Sequence, residues 1–185
     1  MQLCETSFSE IKLFQPKVFS DNRGYFFESF RKDSLEQFGI ISSFVQDNEA
    51  KSTRDILRGL HYQLKFPQGK LLRVVSGEVF DVAVDIRYGS PSFGNYFGTI
   101  LSCENHRVMF IPEGFAHGYI VFSQTAVFQY KCTNYYHSDD QYGIRWNDPD
   151  LNIDWKVNLP VLSEKDQRLP FLKNIKKKYL PRYNV

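Results

Sequence analysis

From Val79 to Ile86 the chain alternates with a period of two: Phe80, Val82, Val84 and Ile86 fall on one side, Val79, Asp81, Ala83 and Asp85 on the other. A period of two marks a strand, because successive side chains point to opposite faces. One face is apolar and the other carries carboxylates, which point outward to water, or inward if the sheet closes around a site. Similar short runs fill the chain from about Phe44 to Thr133: KLLRVV at Lys70, YFGTIL at Tyr96, RVMFI at Arg107, HGYIV at His117 and AVFQYKCT at Ala126. Gly, Pro, Asn and Ser punctuate them, their links are short, and no helical period intervenes. That pattern favours an all-β sandwich or jelly-roll barrel over a parallel α/β sheet. A helix is persuasive once, where Asp33 or Ser34 caps a turn through Leu35 and Phe38 that Gly39 stops. The Pro-interrupted stretch LPVLSEKDQRLPFL predicts short peripheral helical turns wrapped around the barrel. With no internal repeat or low-complexity linker, residues 1–185 are expected to form one domain.

Composition narrows the class. Hydrophobic residues make up 42%, and 17 Phe and 11 Tyr supply bulk for a core and flat faces for stacking. A formal net charge of +2 gives no reason to expect a nucleic-acid or membrane partner. The one basic cluster, Lys173, Lys176, Lys177 and Lys178, reads as a solvated tail. MQLCETSFSE lacks a charged region followed by an apolar one, and no stretch approaches the roughly 18 apolar residues of a membrane helix, so a cytoplasmic protein is expected. Cys4, Cys103 and Cys132 are odd in number and in no CxxC arrangement, which argues for reduced thiols rather than a disulfide framework or thiolate zinc site.

The candidate chemistry gathers around RGLHYQ, which sets Arg58 and His61 beside Gly59, just before the strand beginning at Lys70. A lone histidine is more often structural than catalytic. Three neighbours shift the balance: His117, following the turn of IPEGFAHGY; the cations Arg23, Arg58, Lys70 and Arg73, suited to phosphate oxygens; and Tyr130, in a nearby strand. Small β-barrels of the cupin type hold a metal with an HxH pair, a glutamate and a distant histidine. Here Gln63 occupies the second position, and an amide substitutes poorly for imidazole, so metal-free chemistry is expected. GxSxG, Walker and Rossmann signatures are absent.

Nine strings in order, PKVFSDNRGYFFESF, FVQDNEAKS, LRGLHYQ, QGKLLRVVSGEVFDVAVDIR, SPSFG, IPEGFAHGY, YKCTNYY, WNDPDLNIDW and LSEKD, resemble the dTDP-4-dehydrorhamnose 3,5-epimerase family from roughly Phe14 to Asp166. The resemblance implies a cupin-like jelly roll, a homodimer, no metal and no organic cofactor. The implied reaction inverts C3 and C5 of dTDP-4-dehydro-6-deoxy-D-glucose, giving dTDP-4-dehydro-L-rhamnose. It implies His61 as general base, Asp166 as the group orienting it, Tyr130 as the acid that protonates the opposite face, and Lys70 facing the ketone oxygen. Read from the residues alone, the same positions fit a surface Asp, a core Tyr and a solvated Lys.

Substrate binding is implied for Arg23, Glu28, Gln46, Asn48, Arg58, His117, Gln141 and Lys165, with Tyr136 stacking on thymine and Phe19 and Phe26 as aromatic neighbours. The segment with Arg23 and Glu28 is implied to reach into the partner subunit's site. The chain departs from the family once, where Gln141 replaces an acidic residue five positions after the stacking tyrosine. Relatives on this scaffold that epimerise one carbon, shift the keto group or use other nucleotide-linked sugars remain alternatives, as does a noncatalytic sugar-nucleotide binder. Retention of base and acid together favours the epimerase.

Overall fold

The computed structural model describes residues 1–183. Strands β1 (Gln2–Cys4) and β2 (Lys12–Gln15) open the chain, β3 (Phe19–Asp21) and β4 (Gly24–Phe26) form a hairpin, and helix α1 (Lys32–Glu36) follows. Next come β5 (Gln46–Thr53), β6 (Leu57–Gln63), β7 (Lys70–Ser76), β8 (Glu78–Asp85), β9 (Tyr96–Ser102), β10 (Val108–Ile111), β11 (Phe115–Val121) and β12 (Thr125–Cys132). A short β13 (Gln141–Gly143), helix α2 (Glu164–Gln167) and two later 3-10 turns complete it. One sheet runs β1-β2-β10-β7-β12-β5 and the other β13-β6-β11-β8-β9, every named pairing antiparallel. The two face each other as a cupin-like jelly roll.

Both faces of β8 are buried, and this answers the question its alternation leaves open. Val79 and Ala83 face the other sheet in a core with Leu72, Val74, Met109 and Phe128. Phe80, Val82, Val84 and Ile86 point outward, but Trp155, Leu151, Leu172 and Leu180 cover them. The carboxylates of Asp81 and Asp85 therefore point inward and are wholly buried. A third cluster places Leu35 and Ile40 over Phe14, Leu71, Val108 and Phe110 on the outside of the first sheet. Each large apolar side chain so covered contributes roughly 1.5–3 kcal/mol of transfer free energy.

Several expectations need correction. The strand content begins at β1, well before Phe44, and His61, just ahead of the strand beginning at Lys70 as expected, lies within a strand of its own, β6. Helix α1 is capped at Arg31 without a side-chain bond, and Asp33 sits inside its first turn, joined to the Arg31 guanidinium. Its end matches the expectation: Gly39, at φ 82°, lets Ile40 N donate back to Leu35 O. The terminal lysines are exposed, but their segment is docked through buried Leu172 and Leu180, and Tyr62 donates to Tyr179 O at 2.9 Å. No helix among the described residues is long and apolar enough to cross a membrane.

Backbones approach closely between β6 and β11, where a register shift separates His117 from Tyr119. A Cβ on Gly59, at φ 120°, would lie 2.6 Å from Gly118 Cα and from His117 O. Gly59→Ala should therefore cost about 2 to 5 kcal/mol, backbone strain and overpacking together. Gly89, at φ 93° with nothing within 4 Å, carries the strain alone, so Gly89→Ala should cost about 1 to 2 kcal/mol. Equal urea midpoints for the two variants would refute the steric account.

Candidate active site

A cavity of about 560 Å³ opens between the two sheets, and His61, Lys70, His117, Tyr130 and Asp166 all reach it. A contiguous hollow of about 280 Å³ shares His61, Lys70, Tyr130, Tyr136 and Gln141 and adds Gln46 and Asn48. The pleat dictates who arrives. On β6, Leu60 and Tyr62 turn to the outer core while His61 turns in. On β5, Gln46 and Asn48 turn in while Asp47 and Glu49 stay exposed.

His61 Nε2 and Asp166 Oδ1 are 2.7 Å apart, the carboxylate buried and the imidazole partly open to the cavity. The pair joins residues 105 positions apart. Asp166 is held from below: Ser163 caps α2, its hydroxyl accepting from Asp166 N at 3.1 Å. Burial pushes the Asp166 carboxyl up, but its hydrogen bond and charge contact with His61, with help from Gly59 and Ser163, outweigh it and leave the group below the usual carboxylate range. Asp166 is an anion at neutral pH.

Tyr130 enters from β12, in the sheet opposite His61, paired in register with Asn48 and Leu72. Burial, reinforced by Cys132 and Tyr119 and opposed by Arg58, pushes its phenol up to about 12. It stays protonated, a donor rather than a phenolate. Lys70 begins β7, partly accessible but enclosed by neighbours, and burial pulls it below the usual lysine range against the countering charges of Cys132 and Asp81.

Asp81 was only a strand carboxylate in the sequence, yet both its oxygens bond His117 Nε2, at 2.9 and 3.0 Å. Burial pushes Asp81 up and His117 down, each partly offset by the other. His117 is thus neutral near pH 7, its Nε2 fixed by the Asp81 carboxyl. A carboxylate flanked by apolar residues in mid-strand was the available signal; its partner 36 residues away was not readable.

The amide at the position where HxH barrels put a second ligand has another task. Gln63 donates to Phe66 O and Tyr135 O, at 2.6 and 3.1 Å, and accepts from His137 N at 2.7 Å, clasping two loops. Asp140 also serves the first of these loops, one oxygen accepting from the amides of Leu64, Lys65 and Phe66. Among the described residues no group of three His, Cys, Asp or Glu side chains is arranged to hold a metal ion.

At the rim, Gln141 Oε1 accepts from Tyr136 Oη at 2.9 Å and Lys165 Nζ at 2.5 Å, and Gln46 Oε1 accepts from Tyr136 N at 2.8 Å. Arg58 lines the cavity with its Nε on Ser52 Oγ at 3.0 Å. Phe19, Arg23 and Phe26 are not in this cavity. They lie on the β3–β4 hairpin around a separate hollow of about 330 Å³, where Arg23 pairs with Asp21. Glu28 follows that hairpin, 3.8 Å from Arg31.

A family model described as dTDP-4-dehydrorhamnose 3,5-epimerase matches residues 5–174. The chain is 52% identical over 168 residues to the dTDP-4-dehydrorhamnose 3,5-epimerase of Shigella flexneri, covering 90% of this chain and 93% of that protein. It is 51% identical over 170 residues to the enzyme of that name from Pseudomonas aeruginosa, covering 91% and 94%. A crystal structure of dTDP-6-deoxy-D-glucose-3,5-epimerase from Legionella pneumophila, in complex with dTDP-4-keto-L-rhamnose, matches with TM-score 0.97 and 49% identity, over 100% of this chain and 99% of that one.

The Ser163 cap predicts its own cost. Ser163→Ala should lower stability by about 1 kcal/mol in urea unfolding, and Ser163→Thr should recover most of it. A midpoint for Ser163→Ala equal to that of the parent chain would show that the bond to Asp166 N contributes nothing.

Proposed function

The chain belongs to the dTDP-4-dehydrorhamnose 3,5-epimerase family, and from that premise we infer that it inverts C3 and C5 of dTDP-4-dehydro-6-deoxy-D-glucose, yielding dTDP-4-dehydro-L-rhamnose. It is an isomerase of dTDP-rhamnose biosynthesis. The observation that carries the division of labour is the convergence of His61, backed at 2.7 Å by Asp166, and Tyr130 on one cavity from facing sheets.

A C–H beside a ketone is acidic because the carbanion it leaves is delocalised as an enolate. His61 removes that proton from one face of the ring, and the anionic Asp166 orients the imidazole and stabilises the imidazolium. The Lys70 ammonium faces the oxygen on which charge develops. Tyr130, kept protonated, delivers a proton to the other face, and this is what inverts the centre. A base and acid on one face would restore the starting configuration.

The rim is assigned to the nucleotide. Tyr136 stacks on the thymine, with Gln46 and Asn48 beside it on the neighbouring strand and Gln141 fixing the Tyr136 hydroxyl. Arg58 and Lys165 take the diphosphate, and His117, neutral and fixed by Asp81, meets the sugar. We further propose a homodimer in which the β3–β4 hairpin of one protomer supplies Arg23, Glu28, Phe19 and Phe26 to its partner's cavity. The support is exposure: Phe26 is 71% and Phe19 55% accessible, a poor use of large apolar side chains in a lone chain. The free thiols Cys4, Cys103 and Cys132 favour a reducing, cytoplasmic setting.

In deuterated water, substrate should acquire deuterium at both C3 and C5, read by NMR and mass. His61→Ala should slow this exchange about a hundredfold to ten-thousandfold. Tyr130→Phe should leave measurable exchange while blocking the inverted product, and an equal loss of exchange in both variants would overturn the assignment of base and acid. For the dimer, mixing the inactive variants His61→Ala and Arg23→Ala should restore turnover, because a hybrid then holds one intact composite site. No recovery from hybrids verified as mixed dimers would mean that Arg23 serves its own chain.

A further inference from the structure

Tyr119 stands in the cavity wall without a part in the chemistry above. It is 4% accessible and its hydroxyl, fully enclosed, has no partner of hydrogen-bond geometry. A buried donor left unmatched forfeits its hydration with nothing in return. The ring cannot swing away, since it stacks on Phe128 with centroids 4.3 Å apart at 17°. Across the β6–β11 ladder its register partner is Arg58 and across β8–β11 it is Asp81, and the polar groups around the phenol are Arg58, the Ser52 hydroxyl and the Asp81 carboxyl, the last already taken by His117.

Ser52 is itself buried and already accepts from Arg58 Nε at 3.0 Å. A hydroxyl oxygen has a second lone pair, and among the described residues Ser52 Oγ has no other donor on it. Arg58 has no carboxylate partner among the described residues, so its two terminal nitrogens are left for an anion in the cavity. Burial raises the Tyr119 phenol, against the pull of Arg58 and Ser52, so it remains a donor at neutral pH.

We propose that Tyr119 is a positioning residue: its hydroxyl closes onto Ser52 Oγ and, through Ser52, fixes the guanidinium of Arg58 in the orientation that receives the diphosphate of the substrate. A small rotation of the Ser52 and Tyr119 hydroxyl-bearing groups satisfies the orphan donor and leaves the Arg58 fork aimed at the ligand. This rests on the functional reading above and deepens it, because it assigns nucleotide affinity to a residue that touches neither base nor sugar.

Tyr119→Phe removes one oxygen and keeps the stacked ring, so the fold has no reason to fail. Titration calorimetry with dTDP should show affinity weakened about three- to tenfold, the worth of one relayed hydrogen bond, with the loss appearing in KM more than in kcat. Ser52→Ala should give a loss of similar size, and in an Arg58→Ala background Tyr119→Phe should change dTDP affinity no further. Undiminished dTDP binding by Tyr119→Phe, or a loss that persists in full without Arg58, overturns the relay. A rise in melting temperature with unchanged dTDP affinity would identify the hydroxyl as an unmet donor only, and overturns it equally. Failure of the parent chain itself to bind dTDP would instead strike the functional reading and this proposal together.

Discussion

A strand can send each side chain to only two places, and along most of β6, β8 and β11 neither of them is bulk water. The outer face of β6, β8 and β11 is sealed by the chain's C-terminal third, so anything polar on those strands must point between the sheets. The site follows from that constraint. Leu60 and Tyr62 turn outward because there is a core to receive them, and His61 consequently turns in. The same parity sends Asp81, His117 and Tyr119 to the interior. Losing the C-terminal cover would remove the reason for β6, β8 and β11 to keep their register, since a one-residue slip exchanges the two faces.

Polar groups gathered this way must satisfy one another, because isolated charges in a protein interior are strongly disfavoured. Here the burden is shared unequally. The His61–Asp166 pair lies at the cavity edge, where the mutual contact outweighs burial and the carboxylate stays ionised. The Asp81–His117 pair lies deeper, and burial dominates both members. Two histidine–carboxylate pairs therefore behave differently: the outer is suited to accept a proton, the inner to hold a neutral ring still. Register brings the two histidines opposite each other on β6 and β11, and the glycines beside them allow the strands to approach closely enough.

What could be read in advance divides along the same lines. Period-two runs marked β7 to β12 nearly to the residue, because burial on one or both faces is written into each run locally. The strands before Phe44 escaped notice because they are short, and those of the β3–β4 hairpin are exposed, so no apolar alternation betrays them. The N-terminus of α1 misled because Asp33 looks like a cap but bonds the Arg31 side chain instead. His61, Lys70 and Tyr130 stand out in the sequence as candidate chemistry, but their separate roles, and Asp166 altogether, come through the family resemblance. Their residues alone did not separate active-site groups from a core tyrosine or a surface aspartate, since the contact joining His61 to Asp166 spans 105 positions. Asp81, Gln63 and Ser163 were missed as supports for a different reason: each acts on a neighbour's orientation, and composition carries no record of orientation.

The amide at Gln141 has a wider effect than its two hydrogen bonds. It takes the Lys165 ammonium and the Tyr136 hydroxyl on one neutral oxygen, at a position where the family resemblance implies an acid. A carboxylate there would cancel the lysine's charge within a few ångströms. An amide organises the same side chains and leaves the full positive charge at the mouth, where its field reaches outward for about 8 Å before salt screens it. The entrance of this chain is more electropositive by one unit than the same entrance built with an acid, and a doubly anionic nucleotide feels that difference before any contact is made.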